Sequence, residues 1–321
     1  MRSQASFAAL LFTAGACLTA PAWADPFFFT TGNADGALGA LSQNQTPGLV
    51  ETETADDFIL TQTTVIRGAT ITGMIRRADV ADITNVEIEV YHVFPQDPFD
   101  KPPSGKVPSR TNSPSDNEID SATRDSSDGT LSFFYTLLKS DFSVSNTVET
   151  GINPFEVNGK TDANRTGGEG PASGDEVQIT ITFTKPIVLP AGHYFFRPEV
   201  QVTSGDFLYL SAPRPLVVPP ATPLAQDLQA WIRNANLAPD WLRIGTDIID
   251  AKGATTPTFN MTFSLAGNTI PEAGISGEPS CHGQTVAALA TEFGGIKSAA
   301  STLGFSSVAA LQDSVREFCN Q

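Results

Sequence analysis

Three histidines, three cysteines and a scatter of carboxylates and serines are the side chains in this sequence that could bind metals or break bonds. A zinc site needs three or four clustered ligands. His92 lies on the apolar parity of a strand-like run, His193 follows a Pro-Ala-Gly turn, and His282 follows Cys281. They share no His-Glu-x-x-His spacing, and no paired Cys-x-x-Cys or haem-type Cys-x-x-Cys-His occurs. Ser276 sits in Gly-Ile-Ser-Gly, where the second glycine comes one position too soon for a nucleophile elbow. Ser173 and Ser204 each precede Gly-Asp and read as turns leading into strands. No phosphate-binding loop is present. A glycosidase needs two carboxylates about 5–10 Å apart; acids are plentiful here, and no pair stands out.

Calcium is the metal best matched to the side chains available. Asn33 and Asp35 in Asn-Ala-Asp-Gly, with Asp56 and Asp57 in Ala-Asp-Asp-Phe, offer hard oxygen ligands near the start of the β-patterned region. The plainer alternative is that Asn33 and Asp35 build a turn and the aspartates cap another. The acidic stretch Ser113–Gly129 lacks EF-hand spacing and reads as a solvated loop. Glycan recognition uses aromatic faces with polar edges, and Tyr209, Trp231 and Trp241 are the candidates, each with core packing as its alternative.

The compartment decides how the cysteines are read. Residues 1–24 carry one Arg, an apolar run and a terminal Ala-Trp-Ala, the pattern of a secretory signal cut near Ala24. The rival reading, a lipoprotein cut before Cys17, is weakened by Ala14, where a larger aliphatic is usual. No later stretch reaches the about 20 apolar residues of a membrane helix. A secreted or periplasmic protein is expected, and loss of Cys17 leaves Cys281 and Cys319 to form one disulfide. The formal charge of −16 leaves little cationic surface for nucleic acid or anionic membranes.

The elements that would position these residues are mostly strands. "TTVIRGATITGMI" alternates, and "TNVEIEVYHVF" places Val86, Ile88, Val90 and His92 on one face, with Glu87, Glu89 and Tyr91 on the other. "GTLSFFYTLL", "SVSNTVET", "DEVQITITFTKPIVL", "GHYFFRPEVQV", "DFLYLSA", "WLRIGTDIID" and "TPTFNMTFSLAG" extend the series. Between them run a polar excursion from Pro95 to Asp128, a Gly-rich loop from Asn158 to Gly174, and a proline-rich segment from Ala212 to Pro223. "LAQDLQAWIRNAN" is the one helix expected in this region, from the spacing of Leu224, Leu228 and Trp231. About eight to ten short strands predict a mainly β fold, an antiparallel jelly-roll-like sandwich over 25–266. Residues 267–280 are linker-like, and 281–321 form three short helices ended by Gly294-Gly295 and Gly304, with Ser306 or Ser307 as the last N-cap. A bridge closing a loop of about 40 residues would contribute ~4 kcal/mol by chain entropy. "AASTLGFSSVAAL" has a helix-turn-helix look, but only Lys297 and Arg316 are basic between the two cysteines, so DNA reading is disfavoured.

"TGNADG", "ETETADDFILTQTTVIRGATITGMI", "NVEIEVYHVFP", "GHYFFRPEVQVTSGDFLYLSAPRP" and "DLQAWIRNANLAPDWLRIGTDII" resemble a group of secreted bacterial β-sandwich proteins, over most of residues 27–266. Some members carry a PEP-CTERM sorting tail; here "TIPEAG" is followed by neither a membrane helix nor a basic stop. The stretch from Cys281 to Cys319 similarly resembles a module on other exported bacterial proteins. The resemblance implies a carbohydrate-binding-module-like sandwich. The expected function is non-enzymatic binding of extracellular glycan or another surface protein. A polysaccharide hydrolase and a structural surface or matrix protein are the alternatives.

Overall fold

The structure, a computed structural model, describes residues 25–45, 50–77, 79–94, 107–150, 152, 166–214, 227–249 and 258–321. The signal segment with Cys17, the parts of the two polar loops at 95–106 and 153–165, the proline-rich segment beyond Arg214, and Leu224 lie outside the described residues.

The chain is mainly β, with two sheets and a small helical C-terminal part. Its strands are β1 (Pro26–Thr30), β2 (Leu38–Leu41), β3 (Thr52–Leu60), β4 (Thr64–Arg76), β5 (Ile83–Val93), β6 (Pro114–Glu118), β7 (Arg124–Asp125), β8 (Leu131–Val144) and β9 (Asn146–Val148). They continue as β10 (Ala172–Leu189), β11 (Gly192–Val202), β12 (Asp206–Ala212), β13 (Trp231–Asn234), β14 (Leu242–Arg243), β15 (Asn260–Met261) and β16 (Phe263–Thr269). The larger sheet runs β1-β16-β4-β12-β2-β9, with β10 bridging β4 to β8 and β15 beside β12. The second runs β14-β13-β3-β11-β5-β6, with β7 also on β5. All pairings are antiparallel except β2 with β9.

Alternation on each strand builds a core between the sheets. Val86, Ile88 and Val90 of β5 and Phe58 and Leu60 of β3 meet Ile66, Ile71, Val177, Ile179, Phe207 and Leu265 of the larger sheet. Phe196 of β11 stacks on Phe263 of β16 across the gap, with ring centroids 5.0 Å apart. Burial of such rings is the main stabilising term.

Three sequence expectations are corrected here. Where it is described, the helix expected over 224–236 is absent: Trp231–Asn234 is a strand pairing against Thr52–Ala55 of β3, flanked by irregular chain and a turn. Trp231 and Ile232 are buried in different clusters on opposite faces. Only an extended chain buries neighbouring residues that way, and tertiary pairing overrides the loose helical spacing. In "WLRIGTDIID" only Leu242–Arg243 is strand, and Ile244–Ile249 coils into a π-helical turn. The excursion after Pro95 holds β6 and β7, because the edge of β5 recruits them as backbone partners.

The C-terminal part has α1 (Cys281–Glu292), α2 (Ile296–Thr302) and α3 (Val308–Cys319). Gly294 and Gly304 adopt positive φ, +67° and +80°, just past the ends of α1 and α2. The Ser307 hydroxyl accepts the Ala310 amide at the start of α3. Cys281 and Cys319 are bridged, with Cα atoms 5.7 Å apart. Leu289, Ala299, Leu303, Leu311, Val315 and Phe318 form one cluster with Val65, Val188 and Ile270. The helices therefore complete their core against the ends of β4 and β10. Lys185 pairs with Glu317 at 2.9 Å, and the Arg67 guanidinium donates to the Thr302 carbonyl. The linker-like stretch is partly structural: Gly267–Thr269 belong to β16, and Ile270 is buried under the helices.

Candidate functional site

The face of the second sheet turned away from the core carries most of the buried chemistry. Strand alternation puts Glu53, Ala55 and Asp57 of β3, His193, Phe195, Arg197 and Glu199 of β11, and Glu87, Glu89 and Tyr91 of β5 on this side. The face that the sequence presents as the polar side of β5 is buried at Glu89 and Tyr91 and only partly open at Glu87. The Arg197 Nε donates to Glu53 Oε1 at 2.9 Å, and Arg233 pairs with Glu53 Oε2. Arg233 also reaches the Tyr91 hydroxyl at 2.9 Å. Burial pushes the Glu53 carboxyl up, but Arg197 and Arg233 outweigh it and bring it down to about 2. Glu199 lies 2.7 Å from Arg197, yet its burial and the neighbouring acids raise it to about 8. Burial likewise raises Glu87 to about 7. Glu53, Glu87, Glu199, Arg197 and Arg233 did not stand out in the sequence. Each is an isolated charge on an alternating strand, a pattern shared by any solvated face.

Carboxylate oxygens of Glu51, Glu53 and Glu199 lie within 4.8 Å of one another. Both Glu53 oxygens are engaged by guanidiniums, which makes this an ion network rather than an open ligand set.

The calcium candidates do not converge. Asn33 is exposed on a loop. Asp35 accepts the Ala37 amide at 2.8 Å and the Ser211 hydroxyl at 2.6 Å, a turn-building role. Asp56 points into the sandwich and accepts the Met261 amide at 2.8 Å, while Asp57 points the other way and meets His193 at 2.6 Å. Consecutive strand residues face opposite sides, and Asp56 and Asp57 accordingly engage different partners. Burial and then Asp57 raise the Asp56 carboxyl well above the usual range.

The three glycan candidates are all buried. Tyr209 belongs to the core between the sheets. Trp241 packs edge-on against Tyr91 at 5.6 Å, with the Arg233 guanidinium 4.3 Å above its ring. Trp231 is 1 % exposed, but it differs from the others in lining a cavity of about 300 Å³. Arg214, Asp227, Gln229 and Arg243 line it too, as do Thr111 and Asn112. Arg243 is held by Asp247 at 2.7 Å and lies over the Trp231 ring at 6.0 Å. Arg214 bonds Asp227 at 3.1 Å and the Leu228 carbonyl and Asn260 side chain at 2.6 and 2.8 Å. Burial raises Asp227 and Arg214 pulls it back. The lining offers donors, acceptors and an indole, and its Arg214, Asp227 and Arg243 are each held by second partners. Asp227 is the single carboxylate among the described lining residues. Comparison with protein-family models, curated proteins and solved structures returned no match.

Proposed function

We propose that this protein is an exported, non-enzymatic binding protein that takes an extracellular glycan in the cavity beside Trp231. One observation carries the reading: an indole, two guanidiniums, two amides and a carboxylate line a cavity of about 300 Å³. Ligand pockets combine an apolar wall with a few fixed polar groups in this way, and this volume is at the small end of their range. It suits one or two sugar units better than a long chain. The disulfide and the acidic charge accord with export, and among the described residues no helix is long and apolar enough to cross a membrane. Kinship with the secreted β-sandwich group is part of the same proposal.

The hydrolase alternative asks for two carboxylates across the cavity. Asp227 is paired with Arg214, and the nearby acid cluster is locked to Arg197 and Arg233. Calcium enters as a condition of the test. The purified protein is applied to a glycan array with and without calcium. Saturable binding to a defined sugar end group is expected, and absence of binding in both conditions would sink the reading.

A further inference from the structure

We propose that β8 is a dimer-forming edge, on which two copies of this chain pair antiparallel about a two-fold axis through Thr136. Among the described residues β8 pairs with β10 alone, so the amides and carbonyls of its other side have no strand partner among them. Such an edge invites another strand. Phe134, Tyr135, Leu137 and Leu138 are exposed by 59, 39, 46 and 48 %. Large apolar residues on both faces of an edge strand give solvated pairing little to recommend it.

The register to β10 says which face each occupies. Tyr135 and Leu137 lie opposite Ile179 and Val177, whose side chains are in the core. They lie on the core side of the sheet but outside the packed cluster, exposed at its edge. Phe134 and Thr136 lie opposite Thr180 and Gln178 on the outer face. A two-fold axis perpendicular to the sheet keeps the core side of both copies on one side, and directly paired residues share a face. Centred on Thr136, the register sets Tyr135 against Leu137 of the second copy on the core side and Phe134 against its Leu138 on the outer side. All four exposed residues then meet as aromatic–aliphatic pairs.

Charge points to the same occupant. The chain carries −16 overall, yet residues 131–138 are uncharged, so no like charges meet across this edge. The register shift opposite Glu176 and Val177 ends regular pairing near Leu138 and keeps the contact short. The interface uses the same patch on both copies and closes as a dimer.

The test is sedimentation velocity of the purified protein across the micromolar range, with two variants. Wild type is expected to dimerise, and L137K to be monomeric with an unchanged circular dichroism spectrum. T136C is expected to form a dimer linked through its own cysteine on mild oxidation, because directly opposed residues sit about 4.5–5.5 Å apart at Cα, inside disulfide range. A monomer at every concentration, a dimer that survives L137K, or a dimer that T136C fails to crosslink would overturn the proposal. If L137K does not fold, the T136C result decides alone.

Discussion

Asp56 shows how a single residue sets the pH response. Its carboxyl is fully inside the sandwich, where burial and Asp57 raise its folded-state pKa. A raised acid binds a proton in the folded state that the unfolded chain releases, so its stabilisation is complete below the unfolded value and fades as pH rises. Glu87, raised to about 7, and Glu199, raised to about 8, act in the same sense. Melting temperature should therefore fall as pH rises from about 5 to about 9, and D56N, which keeps an acceptor for the Met261 amide, should flatten part of that slope. An unchanged slope in the variant would refute the assignment. Arg197 is the opposite case, a buried cation that holds Glu53 and contacts Glu199. R197M leaves those carboxylates uncompensated and should cost ~3–5 kcal/mol in urea unfolding. A loss under about 1 kcal/mol would mean the network is peripheral to stability.

At the scale of elements, hydrophobic alternation made β5 legible, because Val86, Ile88 and Val90 fall on one parity and all three are core. The three C-terminal helices were legible too, since glycine stops and the Ser307 cap are local signals. The 224–236 segment was not. Leu228 and Trp231 satisfy helical spacing, whereas the strand they approach is set by β3, far away in sequence. The buried acid–base face was hidden for a related reason, since partners such as Glu53 and Arg233 are 180 positions apart. The cavity was half legible: Trp231 was a candidate from its type, but Arg214 and Arg243 gain meaning only from the fold. Two substitutions test the elements. F263A removes the ring stacked between the sheets and should cost ~3–5 kcal/mol. S307A removes the α3 cap and should cost ~1 kcal/mol, read from the same unfolding curves.

For the whole molecule, the central relation is between sandwich and helices. Three short helices bury too little alone, and here Val65, Val188 and Ile270 supply the missing wall. The disulfide closes the helices on themselves while the sandwich holds them from below. Denatured without reductant, the protein processed as expected should titrate no free thiol. Replacing both cysteines with serine should cost ~2–5 kcal/mol, and loosen the helices before the sheets in hydrogen exchange. Simultaneous loss of protection in both would show a single cooperative unit instead.

The proposed function rests on the cavity lined by Trp231, Arg243 and Arg214. Trp231 can report on it, because it is one of the lining residues. The decisive measurement is a tryptophan-fluorescence titration with the sugar that scores highest on the array, in wild type and in R243A. The account predicts a saturable change in wild type, weakened at least about tenfold in the variant, a loss of ~1.4 kcal/mol or more. Equal affinity in the two proteins would contradict it.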